Sequence, residues 1–260
     1  MGSNVRWHID LHIKRRVGKK LENCLMCNYL HGQRKREDCP ICMIILPFND
    51  VECSYMSCCG KLICNGCRFC LPREHCPFCN TPAARGDEET IKRLSDRIEK
   101  YNDLHAMIMM SAYYRLGWHG LPVDQSKEIE LLQRACELGS ATAHHNVGTK
   151  YQNGNGTEID MKKAVHHYQI AAMMGNMLAR HNLGYAELEN KNYPRAMRHF
   201  MIAAESGLKD SLDMVKQGFT QGDVTKQDFE KTLRDYQASC DETKSEQRER
   251  AAVIQSRNVE

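Results

Sequence analysis

Residues 39–79 read CPICMIILPFNDVECSYMSCCGKLICNGCRFCLPREHCPFC, and this stretch decides the fold of the first half of the chain. Twelve of the fourteen cysteines fall between Cys24 and Cys79. A CxxC pair lets two thiolates reach one tetrahedral metal ion, with Zn–S bonds of about 2.3 Å. Eight cysteines spaced as such pairs predict two zinc ions, each with four protein ligands. No coordination position is left for a substrate, so the zinc is expected to be structural.

The size of this segment also favours metal binding. A segment of roughly 45 residues cannot bury enough apolar surface to fold unaided. Zinc binding would therefore supply most of the free energy of folding. The alternative is a set of disulfides, which requires an oxidising compartment, and residues 1–30 contain no apolar stretch of the signal-peptide type. We therefore favour metal over disulfides.

The cysteine pattern resembles a RING finger in three segments: Cys39-Pro-Ile-Cys42, Cys59-Gly60-x-x-x-Cys64-x-x-Cys67 and Cys76-Pro-Phe-Cys79. The resemblance implies a cross-braced fold, in which ligand pairs one and three hold one zinc ion and pairs two and four hold the other. It assigns the first ion to Cys39, Cys42, Cys64 and Cys67. It assigns the second ion to Cys76, Cys79 and two ligands from the middle segment.

The middle segment departs from the commonest RING pattern, because Lys61 stands where a zinc-binding histidine is usual. The resemblance then implies an all-cysteine variant. We favour Cys58 with Cys59 as the remaining ligand pair. Adjacent thiolates on one metal strain the backbone, so Cys53 stays an alternative ligand, and His75 is a weaker candidate.

RING fingers commonly act as ubiquitin ligases, which hold a ubiquitin-conjugating enzyme in a reactive pose and supply no catalytic nucleophile. The resemblance places the contact with that enzyme on Ile41, on Phe69 or Leu71, and on Pro77. The competing interpretation is that these side chains only fill the small core. Asn80 follows the last ligand, where many active RING fingers carry an arginine or lysine. A neutral amide cannot make the forked contact of a guanidinium, so Asn80 argues against a strong ligase.

The second half of the chain repeats itself, which is typical of stacked-helix architectures. Residues 146–148 (Asn-Val-Gly) return as residues 182–184 (Asn-Leu-Gly), and the block 163–172 returns as 195–204. Apolar residues fall on one helical face, namely Ala164, Tyr168, Ala171 and Ala172. Glycines follow the helical runs, namely Gly175 and Gly207. The pattern predicts helical hairpins that are each too small to be stable alone and that bury a shared seam.

These units resemble the Sel-one-like repeat, a relative of the tetratricopeptide repeat. The second unit, residues 143–179, matches best, the third is shorter, and the first is loose. A fourth unit, from Ser211 to about Tyr236, has drifted and is expected to cap the stack. We expect the concave face of such a stack to bind a protein substrate or adaptor.

The histidine pairs 144–145 and 166–167 suggest a metal or catalytic cluster. His181 and His199 occupy two of the same positions in the next unit. Recurrence at the repeat period favours packing geometry over function.

Residues 1–36 form a basic arm with a net charge of +7, against −4 for the rest of the chain. Aromatic residues that could stack on bases are nearly absent there, so we favour a solvated, partly disordered tail over nucleic-acid binding or a nuclear-import signal. Cys24, Cys27 and His31 offer three ligands for a further zinc ion, but no fourth has clear spacing and free thiols are favoured. No apolar run approaches about 18 residues, so we predict no membrane span and expect the cytoplasm or nucleus.

We therefore predict a mostly α-helical chain, in which a small two-zinc, cross-braced RING finger precedes a solenoid of helical hairpins. Its predicted parts are a basic arm (1–36), a RING-type zinc finger (37–82), a hinge and connecting helix (83–104), Sel-one-like repeats (105–240) and a charged tail (241–260). The favoured function is a ubiquitin ligase that recruits a conjugating enzyme through the finger and a protein substrate or adaptor through the repeats. The alternative is a non-enzymatic protein-interaction scaffold with a structural zinc module.

Overall fold

The fold is described from a computed structural model, which covers residues 37–47 and 52–257. The basic arm, with Cys24, Cys27 and His31, lies outside the described residues, and so do residues 258–260 of the charged tail. No helix in the described ranges is long and apolar enough to cross a membrane.

Residues 37–82, here called the cysteine-rich module, contain a small antiparallel sheet and one short helix. Strand β1 (Cys53–Met56) pairs with strand β2 (Lys61–Cys64), and helix α1 (Asn65–Cys70) follows directly. The core of the module is made mostly of cysteine, with these residues buried: Cys39, Ile63, Cys64 and Cys67. A core of this size agrees with the expectation that the module needs another source of stability.

Ten helices follow within the described residues, and helices α3 to α9 are each 13 residues long. Their bounds are α2 Asp87–Tyr101, α3 Leu104–Leu116, α4 Gln125–Glu137, α5 Ala141–Asn153, α6 Met161–Met173, α7 Met177–Glu189, α8 Tyr193–Glu205, α9 Lys209–Gln221, α10 Lys226–Thr243 and α11 Glu246–Arg257. Side chains placed just before the helices fix where several of them begin. Asp103, Asp124, Ser140, Asp160 and Asn176 each accept hydrogen bonds from backbone N–H groups two or three residues further on.

Helices α3 to α10 pack as successive hairpins, α3 with α4, α5 with α6, α7 with α8, and α9 with α10. Each hairpin also packs on the next one, through the pairs α4–α5, α6–α7 and α8–α9. The prediction of a mostly helical repeat solenoid is thereby confirmed. Helix α10 contacts α8 as well as α9, so the last hairpin closes that end of the stack.

The seams between helices combine one large aromatic ring with a glycine on the neighbouring helix. Tyr168 and Phe200 are fully buried at equivalent repeat positions. A Cβ added at Gly148 would lie 2.7 Å from the Tyr168 ring, and one added at Gly184 would lie 2.6 Å from the Phe200 ring. The absence of a side chain at these two positions therefore sets how closely the helices approach.

A largely buried carboxylate joins the cysteine-rich module to the repeats. Asp103 caps helix α3 through Oδ1, which accepts hydrogen bonds from the backbone N–H groups of His105 and Ala106. Its Oδ2 accepts from the Tyr55 hydroxyl of strand β1 at 2.7 Å and from Arg97 Nε at 2.6 Å. Burial alone would raise the pKa of Asp103, but the hydrogen bonds from Tyr55 and Arg97 outweigh it and lower the pKa. Strand β1 is thus tied to the start of the first repeat helix.

We predict that Gly184→Ala lowers the free energy of unfolding of the repeats by about 1–3 kcal/mol, the usual cost of overpacking a closed core. The added methyl group would overlap the Phe200 ring, which is fully buried. Urea unfolding followed by helical circular dichroism measures this change.

Two comparisons make that prediction specific. Glu189→Ala, at an exposed position of the same helix, should change stability by less than about 0.5 kcal/mol. The double variant Gly184→Ala with Phe200→Leu should lose less stability than the sum of the two single variants, because the smaller side chain makes room for the methyl group. Strictly additive losses would contradict the close contact.

Candidate metal centres

The first candidate metal centre brings together four thiols from three parts of the cysteine-rich module. Cys39 and Cys42 precede the sheet, Cys64 ends strand β2, and Cys67 lies in helix α1. Their Sγ atoms all lie within 4.8 Å of one another, and Cys42 Sγ is 3.8 Å from Cys64 Sγ. We call this group tetrad one.

The second candidate centre, here called tetrad two, joins the hairpin turn to the end of the module. Cys58 and Cys59 lie in the turn between β1 and β2, and Cys76 and Cys79 lie in the loop after helix α1. Their Sγ atoms also lie within 4.8 Å of one another, with Cys59 Sγ 3.7 Å from Cys76 Sγ. Each of the eight favoured ligand residues therefore lies in one of the two tetrads.

The distances between sulfurs suit a shared metal ion. A regular tetrahedron with Zn–S bonds of about 2.3 Å has an edge of about 3.8 Å, whereas a disulfide bond is about 2.05 Å long. The separations of 3.7 and 3.8 Å match the tetrahedral edge. No cysteine in the described ranges takes part in a disulfide bond. Each set of four sulfurs thus fits one tetrahedral metal ion, and we propose that this ion is zinc.

The two tetrads are interleaved along the chain. Tetrad one uses the first and third ligand pairs, and tetrad two uses the second and fourth. Cys53, the alternative ligand, lies in neither group. It faces Cys64 across the sheet, and its Sγ contacts the carbonyl oxygen of Pro47 at 3.7 Å. His75 is exposed and also lies outside both groups.

The two CPxC segments form matching turns around the metal positions. The backbone N–H of Met43 donates to the carbonyl of Cys39 at 2.9 Å, and that of Asn80 donates to the carbonyl of Cys76 at 3.0 Å. Met43 and Asn80 have φ angles of 55° and 54°, in the left-handed region. Asparagine adopts this conformation more readily than most residues, so the backbone of this turn can explain why position 80 is asparagine.

Hydrogen bonds lower the pKa of one thiol in each tetrad. Burial opposes ionisation of Cys39, but hydrogen bonds from the backbone of Cys42, Cys64 and Ile41 outweigh it and lower the Cys39 pKa to about 7. The hydroxyl and backbone of Thr81 lower the pKa of Cys79 to about 6. These two thiols are therefore the first that would present a thiolate to a metal ion.

Cys58 and Cys67 behave differently. Burial raises the pKa of Cys58 and of Cys67, and the neighbouring thiols add to the effect. Without a cation, each tetrad would thus keep some of its thiols protonated. Filling a tetrad would release those protons, because only the thiolate is a zinc ligand.

Helix α11 packs against helix α1 beside tetrad one, a contact that the sequence analysis did not predict. Arg248 Nη1 donates to the carbonyl oxygen of Ile45 at 2.7 Å, and Nη2 donates to that of Ile44 at 3.1 Å. Nη2 also lies 3.8 Å from Cys42 Sγ. Part of the segment predicted as a charged tail is therefore a helix that holds the first ligand loop.

Gly66 permits this contact. A Cβ at Gly66 would lie 2.7 Å from the backbone nitrogen of Arg248, so any side chain there would push helix α11 away. Cys67 Sγ lies 3.9 Å from Gln247 Oε1 in the same interface. The sequence of this helix gave no local signal for the contact, because the partners are about 200 residues apart in the chain.

The residues predicted to contact a conjugating enzyme lie on the surface. Ile41 is 37% exposed and Phe69 is 40% exposed, and Pro77 is exposed as well. Leu71, the alternative to Phe69, packs against the small core. Each of these three side chains thus keeps part of its surface in solvent.

The second half of the chain matches the Sel1 repeat family in three consecutive segments, residues 104–140, 141–176 and 178–208. Each segment corresponds to one helical hairpin, so helices α3 to α8 form three Sel1 repeats. Such repeats generally mediate protein–protein interaction. No RING or zinc-finger family matches the chain, and a search of curated proteins found no match.

A solved Sel1 repeat structure shows the same repeat fold. A Sel1 repeat protein from Oxalobacter formigenes is 24% identical, with a TM-score of 0.51 over 58% of this chain and 64% of its own length. A protective antigen of uropathogenic Escherichia coli strains, which displays an SLR fold, is 21% identical, with a TM-score of 0.48 over 66% of this chain and 41% of its own. The chain spans less than two thirds of either structure.

We predict that removing metal unfolds the cysteine-rich module and leaves the repeats helical. A structural zinc ion supplies about 10–16 kcal/mol in small zinc-binding peptides, far more than the module's core can replace. A strong chelator should open residues 37–82 to proteolysis while the far-ultraviolet circular dichroism of the repeats persists. Cys64→Ser should remove one equivalent of metal, and Cys70→Ser, an exposed cysteine outside both tetrads, should remove none. Equal metal content in the two variants would contradict the ligand assignment.

We also predict that Arg248→Ala releases helix α11 from the module. Hydrogen bonds to a charged group contribute about 1.5–3 kcal/mol each, so the open population should rise by roughly tenfold or more. Hydrogen exchange of the backbone amides in helix α11 measures this population. Arg250→Ala, on the same helix with its side chain in solvent, is the matched control and should leave exchange unchanged. Similar exchange in the two variants would rule out the Arg248 contact.

Proposed function

We propose that the chain is a RING-type ubiquitin ligase, in which two zinc ions shape the cysteine-rich module and the Sel1 repeats recruit a protein partner. The observation that carries the proposal is the interleaving of the two tetrads. Ligand pairs one and three share one centre and pairs two and four share the other, which is the cross-braced order of a RING finger. Two closed four-cysteine centres leave no position for a substrate, so the module would act through its surface.

The proposed contact with a ubiquitin-conjugating enzyme is the exposed apolar group of Ile41, Phe69 and Pro77. These residues come from the first ligand turn, helix α1 and the second ligand turn. A module this small gains by burying apolar side chains, so exposed ones at these positions support a binding surface. In such a ligase the conjugating enzyme carries ubiquitin as a thioester, and an acceptor amine attacks it. The finger contributes orientation and no reacting group.

The proposed partner site on the repeats is the concave side of the stack. A cavity of about 500 Å³ lies between the module, the first helix of each repeat and helix α10. It is lined by residues that include Glu52, His145, Asn146, Leu178, Asp210 and Cys240. Leu178 is 44% exposed, which provides an apolar contact among polar side chains. This composition suits a peptide segment of a protein with both apolar and hydrogen-bonding groups.

A second candidate function is a scaffold without ligase activity, and Asn80 favours it. Its side chain is neutral at the position where many active RING ligases carry a positively charged side chain. Its backbone is in the left-handed region, which asparagine adopts more readily than arginine does. Met43, however, adopts the same backbone angle in the other ligand turn with a long side chain. An arginine at position 80 should therefore be tolerated by the fold.

We predict that the full chain accelerates discharge of ubiquitin from at least one conjugating enzyme to free lysine. Ile41→Ala should slow this discharge by about tenfold, since truncating a central interface residue typically costs more than 1 kcal/mol. Asn80→Arg should raise the rate, because a guanidinium can contact the enzyme and ubiquitin together. The rate is measured under single-turnover conditions across a panel of conjugating enzymes, with the metal content of each variant determined on the same samples.

Ile159→Ala serves as the matched control, because Ile159 is an apolar residue of the repeats that is 68% exposed. It should leave discharge unchanged. Absence of any acceleration by both the wild type and Asn80→Arg, across the whole panel, would refute the ligase. Partner capture that ignores Ile41→Ala but is lost on Leu178→Glu would then support the scaffold.

A further inference from the structure

A third group of metal-ligating side chains lies within the repeats, away from both tetrads. It consists of Cys136 in helix α4, His144 in helix α5 and His167 in helix α6. One ligand atom from each residue lies within 4.8 Å of the other two, and all three side chains are half-buried. From the sequence, the histidine pairs are expected to serve packing.

The geometry of the group suits a tetrahedral ion. The Nδ1 atoms of His144 and His167 are 3.1 Å apart. In a tetrahedral site with Zn–N bonds of about 2.05 Å, two ring nitrogens are separated by about 3.3 Å. A cation between the rings would therefore need only a few tenths of an ångström of movement. Thiol and imidazole are also the donors that zinc prefers over the oxygen ligands of magnesium or calcium.

The next repeat provides an internal comparison. The positions equivalent to Cys136, His144 and His167 carry Ala172, Arg180 and His199. Arg180 donates to the carbonyl oxygen of Ala172 at 2.9 Å. The ring of His144 likewise hydrogen-bonds the backbone of Cys136.

The hydrogen bond to the preceding helix and the binding of a metal ion place different requirements on positions 136 and 144. The repeat needs a donor for the carbonyl at the end of the preceding helix, and arginine meets that need in one unit as histidine does in the other. A thiol at position 136 and a metal-ligating imidazole at position 144 are therefore additions peculiar to one seam. Recurrence explains His167 but neither Cys136 nor His144.

The surroundings hold the two rings in place. A histidine that donates one N–H to a carbonyl presents the lone pair of its other nitrogen, which is the usual arrangement of a zinc-bound imidazole. The Tyr151 ring stacks on His167, with ring centroids 5.9 Å apart. His166 is exposed and is not part of the group.

We propose that Cys136, His144 and His167 bind one zinc ion, with water as the fourth ligand. On binding, the Cys136 thiol gives its proton to solvent and forms a Zn–S bond, and each imidazole forms a Zn–N bond through a nitrogen lone pair. Cys136 belongs to the first Sel1 repeat, and the two histidines belong to the second. The ion would therefore clamp the boundary between two repeats, and its water would mark an open coordination position.

The experiment is a metal titration of the full chain with Co²⁺, after Zn²⁺ has been added to two equivalents and unbound metal removed. Wild type should bind one further equivalent of Co²⁺ and show the absorption of a tetrahedral ion with a thiolate ligand. Cys136→Ala and His144→Arg install the residues of the next repeat, so the fold should accommodate both. Each should bind one equivalent fewer than the wild type, and His167→Gln should weaken binding at least tenfold, as loss of one of three ligands would.

His166→Gln is the matched control and should keep the additional equivalent, because this neighbouring histidine lies outside the group. Total bound metal, Zn²⁺ plus Co²⁺, should differ by one equivalent between the wild type and Cys136→Ala whether or not the tetrads are filled. Failure of the tetrads to bind metal would thus leave this test intact. Equal total metal binding by the wild type, Cys136→Ala and His144→Arg would overturn the proposal, and so would loss of one equivalent in His166→Gln.

Discussion

The convergence of eight sulfurs at two points constrains the whole cysteine-rich module. Four thiolates within 4.8 Å of one another would repel, and four protonated thiols would leave a core made mostly of cysteine. A divalent cation removes both difficulties, because it neutralises the thiolates and fixes several chain segments at one point. Since the two tetrads alternate along the chain, each one also holds segments on which the other depends.

The repeats are held by a different kind of constraint, which is the close approach of helices at Gly148 and Gly184. The two halves of the molecule meet through polar contacts. Asp103 ties strand β1 to the first repeat helix, and Arg248 returns from the last helix to the first ligand loop. The module is therefore held by contacts near the start of the first repeat and by the last helix, and two of its residues, Pro47 and Glu52, line the cavity that also borders the repeats.

Local patterns in the sequence were enough to predict a helical repeat solenoid and to pick out eight cysteines that the structure gathers into two groups. Both features depend on short spacings that recur. The Arg248 contact could not be predicted in this way, since it joins residues separated by 206 positions. The meeting of Cys136 with His144 and His167 was missed for a related reason. Each residue was visible in the sequence, but the distance between them depends on how two hairpins pack.

The interface between Gly66 and Arg248 has a consequence for the evolution of such chains. A Cβ at position 66 and the backbone at position 248 cannot occupy their present places together. A lineage that acquires a side chain at position 66 must displace or lose helix α11. A lineage that loses Arg248 releases this helix, so position 66 no longer needs to be glycine. Among orthologues, these two distant columns of an alignment should therefore change together, even where the eight cysteines do not vary.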